Sequence, residues 1–164
     1  MPFLPLPVSR VDPRGPRLAA ALTTAVLALA LVTGGAPMAW LLAAQAAVFA
    51  LGSVGRSPYA WVFRRIVRPR LRPPAELEDA RPVRFAQIVG FLFLVVALAG
   101  VVAGSNVLSV AATTAALFAA FLNAAFGICL GCEMYLLLRR GPIARFAPAP
   151  QTNPTHPTRT EVSA

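Results

Sequence analysis

Four long stretches of this chain carry almost no charge, and that fact constrains its fold more than any other. They are "LAAALTTAVLALALV" from Leu18, the run from Met38 to Val54, the run from Val83 to Ala103 and the run from Val107 to Leu138. A water-soluble domain of 164 residues spreads its apolar side chains in amphipathic patterns; here they are concentrated, with 57% hydrophobic residues and a mean hydropathy of +0.68. A membrane helix needs roughly 20 consecutive apolar residues. The pattern predicts an all-α polytopic membrane protein with four transmembrane helices as two hairpins. The spans fall at about 18–33, 37–54, 83–103 and 107–128, the last continuing as helix to 138. Together they make one membrane domain over 1–145.

The net charge of +9 comes from fifteen arginines without a lysine. A basic chain raises nucleic-acid binding as a possibility, but the distribution argues against it. Arg10, Arg14 and Arg17 precede the first span, eight arginines lie between Arg56 and Arg84, and Arg139, Arg140, Arg145 and Arg159 follow the last. The turns at 33–37 and 104–106 have no charged residue. Cytoplasmic segments carry the excess of Arg, so both termini and the central loop are expected in the cytoplasm, with the chain in the cytoplasmic membrane. The start "MPFLPLPVSR" is Pro-broken and lacks a charged n-region, which makes it a poor signal peptide. The tail at 146–164 is rich in Pro and Thr and is expected to be disordered, His156 included.

The central loop contains "SPYAWVFRRIVRPRL". Ser57 suits an N-cap and Pro58 the first helical position. Tyr59, Val62, Phe63 and Ile66 recur at helical spacing while Arg64, Arg65 and Arg68 turn elsewhere. This predicts a short amphipathic interfacial helix, its aromatics dipping into the bilayer and its arginines meeting anionic lipid. Tyr59, Trp61, Arg64, Arg65 and Arg68 are therefore candidate contacts to lipid, or to a soluble acidic partner. Glu76, Glu78 and Asp79 read as a solvated loop that pairs with nearby arginines.

The last apolar run is longer than one crossing requires, and it holds the only two cysteines, in "GICLGCEMY" (127–135). Glycines at 127 and 131 favour a break near Gly127, with the helix continuing along the membrane surface. About 20 residues from Val107 the crossing ends near Phe126, so Cys129 and Cys132 fall at the cytoplasmic boundary. Three roles are open to the pair. One thiolate can attack a disulfide while the other resolves the intermediate. The pair can ligate metal, although Cys129, Cys132 and Glu133 are too few donors for a closed zinc site without ligands from elsewhere. Or the small, soft side chains merely fill a seam. A helix restarting after Gly127 favours a thiolate at Cys129, and Glu133 opposes it or accepts its proton. Asn123, Gln45 and Gln87 suit interhelical hydrogen bonds, and the many alanines with Gly100 and Gly104 suit close-packed seams. No chain of acids or histidines lies inside the spans, which weakens a proton-coupled transporter.

Taken together, "RVDPRGPR" (10–17), "RPRLRPP" (68–74), "ELEDARPVRFAQ" (76–87) and "GICLGCEMY" (127–135) resemble the bacterial membrane family named domain of unknown function 4395, over roughly residues 8 to 140. The resemblance implies a four-span inner-membrane protein. Members of that family often look to be encoded near thioredoxin-like or sulfurtransferase proteins, which favours the thiol reading, but the family supplies no catalytic residues to carry over. The expectation is thiol-disulfide exchange or sulfur transfer through Cys129 and Cys132, tuned by Glu133, with a soluble thioredoxin-like or rhodanese-like partner. Neither cofactor nor metal is expected. The alternative is a non-enzymatic anchor, an assembly factor or a small-solute permease whose cysteines are structural.

Overall fold

One residue, Gly34, joins the first two long helices in the computed structural model, which describes residues 10–72 and 77–140. Helix α1 (Arg14–Thr33) ends there and α2 (Gly35–Ser53) begins. Gly34 has φ +60°, a conformation that costs a residue with a Cβ. Its N–H donates to Ala30 O (3.1 Å) and its carbonyl accepts from Met38 N–H (3.1 Å), so this one residue makes the last bond of α1 and the first of α2. Pro37 falls in the first turn of α2, where a missing N–H costs nothing.

Past α2, Ser57 accepts Ala60 N–H on its side chain (3.3 Å) and Pro58 opens α3 (Pro58–Val62). The helical path continues through a widened turn at Phe63–Val67, in which Arg68 N–H reaches back to Phe63 O, and a tighter turn at Arg68–Arg70. Helix α4 (Ala80–Val102) is capped by Asp79, and α5 (Asn106–Phe126) follows a short turn containing Gly104. At Gly127 the chain enters the left-handed region (φ +75°) and its N–H closes on Asn123 O (3.0 Å), which ends α5; α6 (Leu130–Arg140) then starts afresh. The break expected in the last apolar run is therefore present. Helices α1 and α4 begin at Arg14 and Ala80, earlier than the hydropathy edges at 18 and 83, because hydropathy marks the bilayer and not the helix. The fold is all-α and polytopic: α1, α2, α4 and α5 are each long and apolar enough to cross a membrane. The tail at 146–164, His156 and Glu76 lie outside the described residues.

The chain folds as two copies of one unit, which the sequence reading did not detect. Asp12, Arg14 and Arg17 recur as Asp79, Arg81 and Arg84. Asp12 Oδ1 accepts Arg14 N–H (3.0 Å), and Asp79 Oδ1 accepts Arg81 N–H (2.9 Å). Each unit then runs long helix, Gly turn, long helix, left-handed Gly (Gly55 at φ +81°, Gly127 at φ +75°) and short capped helix. Packing is reciprocal, α1 against α5 and α2 against α4. The two-residue strands β1 (Arg10–Val11) and β2 (Glu78–Asp79) pair antiparallel where the units meet, with Val11 opposite Glu78. Such self-complementary pairing is what a twofold exchange of halves requires.

Inside the bundle Leu27, Leu42 and Leu94 are fully enclosed among Ala30, Ala46, Ala97, Ala112 and Ala116. Lipid is as apolar as leucine, so burial between helices in a membrane comes from close packing of small residues. Gly100 shows the consequence: a Cβ there would lie 2.7 Å from Ser109 N. Of the buried polar residues, Thr23 and Gln45 are tied across helices, while Thr113 bonds back to Ser109 O in its own helix (2.8 Å). Gln45 Nε2 donates to Thr23 Oγ1 (3.0 Å), and Tyr59 OH donates to Gln45 Oε1 (2.7 Å), linking α3 to α2 and α1.

Candidate thiol site at the α5–α6 break

Cys129 is the N-cap of α6. Its carbonyl accepts Glu133 N–H (3.0 Å), the first bond of the new helix, and its Sγ accepts Cys132 N–H (3.4 Å). The local cause is Gly127: the left-handed turn ends α5 and leaves the next helix with unsatisfied N–H groups, which Cys129 meets. The CxxC spacing then puts Cys132 at the third helical position, the one whose N–H a cap side chain reaches. Both thiols are free and half-buried.

These contacts separate the two cysteines chemically. The hydrogen bond from the Cys132 thiol, with N–H groups of Cys132 and Gly131, lowers the Cys129 thiol from 9.0 to about 7, against burial and the nearby Glu133 charge. The Cys132 thiol is pushed up, first by that same hydrogen bond, which holds its proton, then by burial and by the negative charges of Cys129, Glu78 and Glu133. Cys129 is thus the readier thiolate and Cys132 the proton holder.

Packing fixes the site in place. Helix α6 crosses α4 at Gly131, where a Cβ would stand 2.6 Å from Ala86 Cβ. The Tyr135 ring lies 5.7 Å from that of Phe85 and the Arg139 guanidinium 5.8 Å from the Tyr135 ring centre. On the other side Arg17 Nη2 donates to Ala125 O (3.5 Å) near the end of α5. Leu130, Met134, Leu137 and Leu138 form one exposed apolar stripe of α6.

Of the sequence candidates, Cys129, Cys132 and Glu133 come together here, Glu133 exposed beside the pair. Glu78, read from the sequence as a solvated loop residue, lies close enough for its charge to act on Cys132. Only the β1–β2 pairing and the docking of α6 on α4 bring it there, so no local pattern announces it. Asn123 contributes its backbone carbonyl to the Gly127 turn. Among the described residues no group of three or more His, Cys, Asp or Glu is arranged to hold a metal ion.

The interfacial candidates divide. Tyr59 turns into the bundle toward Gln45, and Phe63 is buried beside Gly15, where an added Cβ would lie 3.4 Å from its ring, so these two aromatics meet protein. Burial raises the Tyr59 hydroxyl above its ordinary value, partly offset by the bond to Gln45. Trp61, 58% exposed, and Arg64, Arg65 and Arg68 remain outside.

Fold and site together define an all-α, four-span type of membrane protein with a helix-capping CxxC at the end of its last long helix. Residues 11–140 match the family described as domain of unknown function 4395, and the chain belongs to it. No curated protein and no solved structure matches the chain.

Proposed function

We propose that this protein lies in the cytoplasmic membrane with its termini and central segment on the cytoplasmic side, and that Cys129 and Cys132 exchange thiol for disulfide with a soluble thioredoxin-like or rhodanese-like protein. The observation that carries the reading is the cap itself: Cys129 Sγ accepts the Cys132 N–H at the start of α6, just past the end of a span. A helix N-terminus is where a thiolate is stabilised. The orientation is supported by the arginines, which collect at one end of the hairpins while the turns at Gly34 and Gly104 carry no charge.

The exchange balances with a partner disulfide as oxidant. Cys129 thiolate attacks one partner sulfur, a mixed disulfide forms, and the partner's second sulfur leaves as thiolate and takes up a proton. Cys132 then loses its proton, with Glu78 and Glu133 the carboxylates whose charges act on it, and attacks Cys129 Sγ, releasing the partner's first sulfur as thiolate. A Cys129–Cys132 disulfide forms and the partner leaves as a dithiol, two electrons having passed to it. The reverse sequence, with a protein dithiol as reductant, restores the pair.

Removing the resolving thiol should trap the intermediate. Purified Cys132→Ser, mixed with an oxidised thioredoxin-like protein, is expected to give a reductant-sensitive conjugate through Cys129, and Cys129→Ser none. Equal conjugation of both variants would remove Cys129 as the nucleophile. Conjugation of neither would leave the cysteines as packing, and an anchor or permease would become the better reading.

A further inference from the structure

The arginine-bearing helix of the first unit is an independent site, and nothing in the thiol chemistry uses it. We propose that residues 58–72 form a binding surface for anionic phospholipid headgroups, built around Trp61, Arg64, Arg65 and Arg68.

Position comes first. Helix α2 ends at Ser53, and after the Gly55 turn α3 starts at Pro58. A span that ends at a bilayer edge leaves a segment only a few residues further on within the headgroup layer. The inner face is fixed by the Tyr59–Gln45 bond (2.7 Å) and by Phe63, which is 4% exposed. With these two turned inward, Trp61, Arg64, Arg65 and Arg68, at helical spacings of three, four and seven, are left on the outer side, all exposed. Ile66 and Leu71 are also exposed, as are Arg70 and Arg72.

Charge identifies the occupant. Among the described residues the acids are Asp12, Glu78, Asp79 and Glu133, and none lies between Pro13 and Arg72. Asp12 and Asp79 each accept a backbone N–H at a helix start. Among the described residues no carboxylate pairs with Arg64, Arg65 or Arg68. Guanidinium groups bind phosphate oxygens in pairs, an indole rests at headgroup level, and a basic segment beside a span gains about five-fold in affinity for an anionic surface per arginine. An acidic soluble protein would use the arginines. It would gain less from apolar Ile66 and Leu71 interleaved with them on a segment tied down at the bilayer edge.

The test follows Trp61 fluorescence in Trp40→Phe protein held in nanodiscs of POPC with increasing POPG, some of the lipid brominated near the headgroup. Quenching of Trp61 is expected to rise with POPG, to fall back in high salt, and to weaken about five-fold in apparent POPG affinity for each of Arg64→Gln, Arg65→Gln and Arg68→Gln. Quenching that is the same with and without POPG overturns the proposal. So does Trp61 fully open to aqueous iodide in POPG discs, which would mark the face as one for a soluble partner. The salt arm uses no arginine variant, so a poorly folded one cannot mimic the result.

Discussion

The strongest quantitative expectation concerns the alkylation rate of Cys129 as a function of pH. Its thiol is lowered from 9.0 to about 7 by the bond from the Cys132 thiol and the N–H groups of Cys132 and Gly131. At pH 7 about half of Cys129 is thiolate, against about 1% of an ordinary thiol, roughly a 50-fold difference in reactive form. A less basic thiolate is also a weaker nucleophile, with a Brønsted slope near 0.45, so two pKa units cost about eight-fold in intrinsic rate. The net expectation is that Cys129 reacts about six-fold faster than an ordinary exposed thiol at pH 7, with a half-maximal rate near that pH. The ordinary thiol should overtake it a little above pH 8, where the advantage in thiolate fraction has fallen to about eight-fold and the two factors cancel. Mass spectrometry of iodoacetamide-labelled protein, in detergent and across pH 5 to 10, reads Cys129 and Cys132 separately, and Cys132 should stay far slower throughout. Replacing Cys132 by alanine removes the thiol donor and should move the Cys129 midpoint upward, whereas serine keeps a hydroxyl donor and should move it less. A wild-type midpoint at 8.5 or above would refute the capping argument, as would a midpoint indifferent to Cys132→Ala.

Two further outcomes test the scaffold. Because Ser57 occupies in the first unit the place of Cys129 in the second, Ser57→Cys in a Cys129→Ser, Cys132→Ser background should yield a thiol whose alkylation midpoint lies below the ordinary value yet above that of Cys129, since Ala60 offers a backbone N–H and no thiol. Tyr59→Phe leaves Gln45 Oε1 without its donor inside the bundle and should cost about 1–3 kcal/mol, seen as a lower unfolding midpoint in detergent without change in the Cys129 profile.

What was legible in the sequence follows the range over which each cause acts. Uncharged runs, Gly34 and Gly127 are local and decide spans, hairpins and the break in the last helix. Ser57 with Pro58 is local too, and α3 starts there. Helical spacing put Tyr59, Phe63 and Ile66 on one face, but an apolar face suits lipid and protein alike, and only the buried Gln45 and Gly15 decide that Tyr59 and Phe63 meet protein. Arg14, Arg17 and Arg81 read as flanks because charge ends a hydropathy window, although the helices run through them. Glu78 was missed for the opposite reason: it reaches Cys132 through pairing and packing between segments far apart in the chain. The duplication was visible only as Asp-x-Arg-x-x-Arg at two sites, six positions amid diverged apolar sequence that any pair of spans would share.

Duplication also makes each half a control for the other. Both units need an acceptor at the residue two past a left-handed glycine, where a short helix restarts. The first unit uses serine, among the best N-cap residues, and the second uses cysteine, whose sulfur is a weak acceptor. If stability of the break were all that mattered, Cys129 would be the poorer solution to a problem that this same chain solves better at Ser57. The three residues on from each cap sharpen the contrast. Ser57 is followed by Pro58 at the first position and Ala60 at the third, choices that start a helix well and do nothing else. Cys129 is followed by Leu130, Gly131 and Cys132: a glycine that lets α6 press against Ala86, and a second thiol that bonds the cap. The second unit accepts a helix-disfavouring glycine for the close crossing with Ala86, and a weaker cap where it holds a half-buried pair of thiols. Seam packing against Ala86 accounts for the glycine, and the proposed thiol exchange is what would account for the cysteine cap.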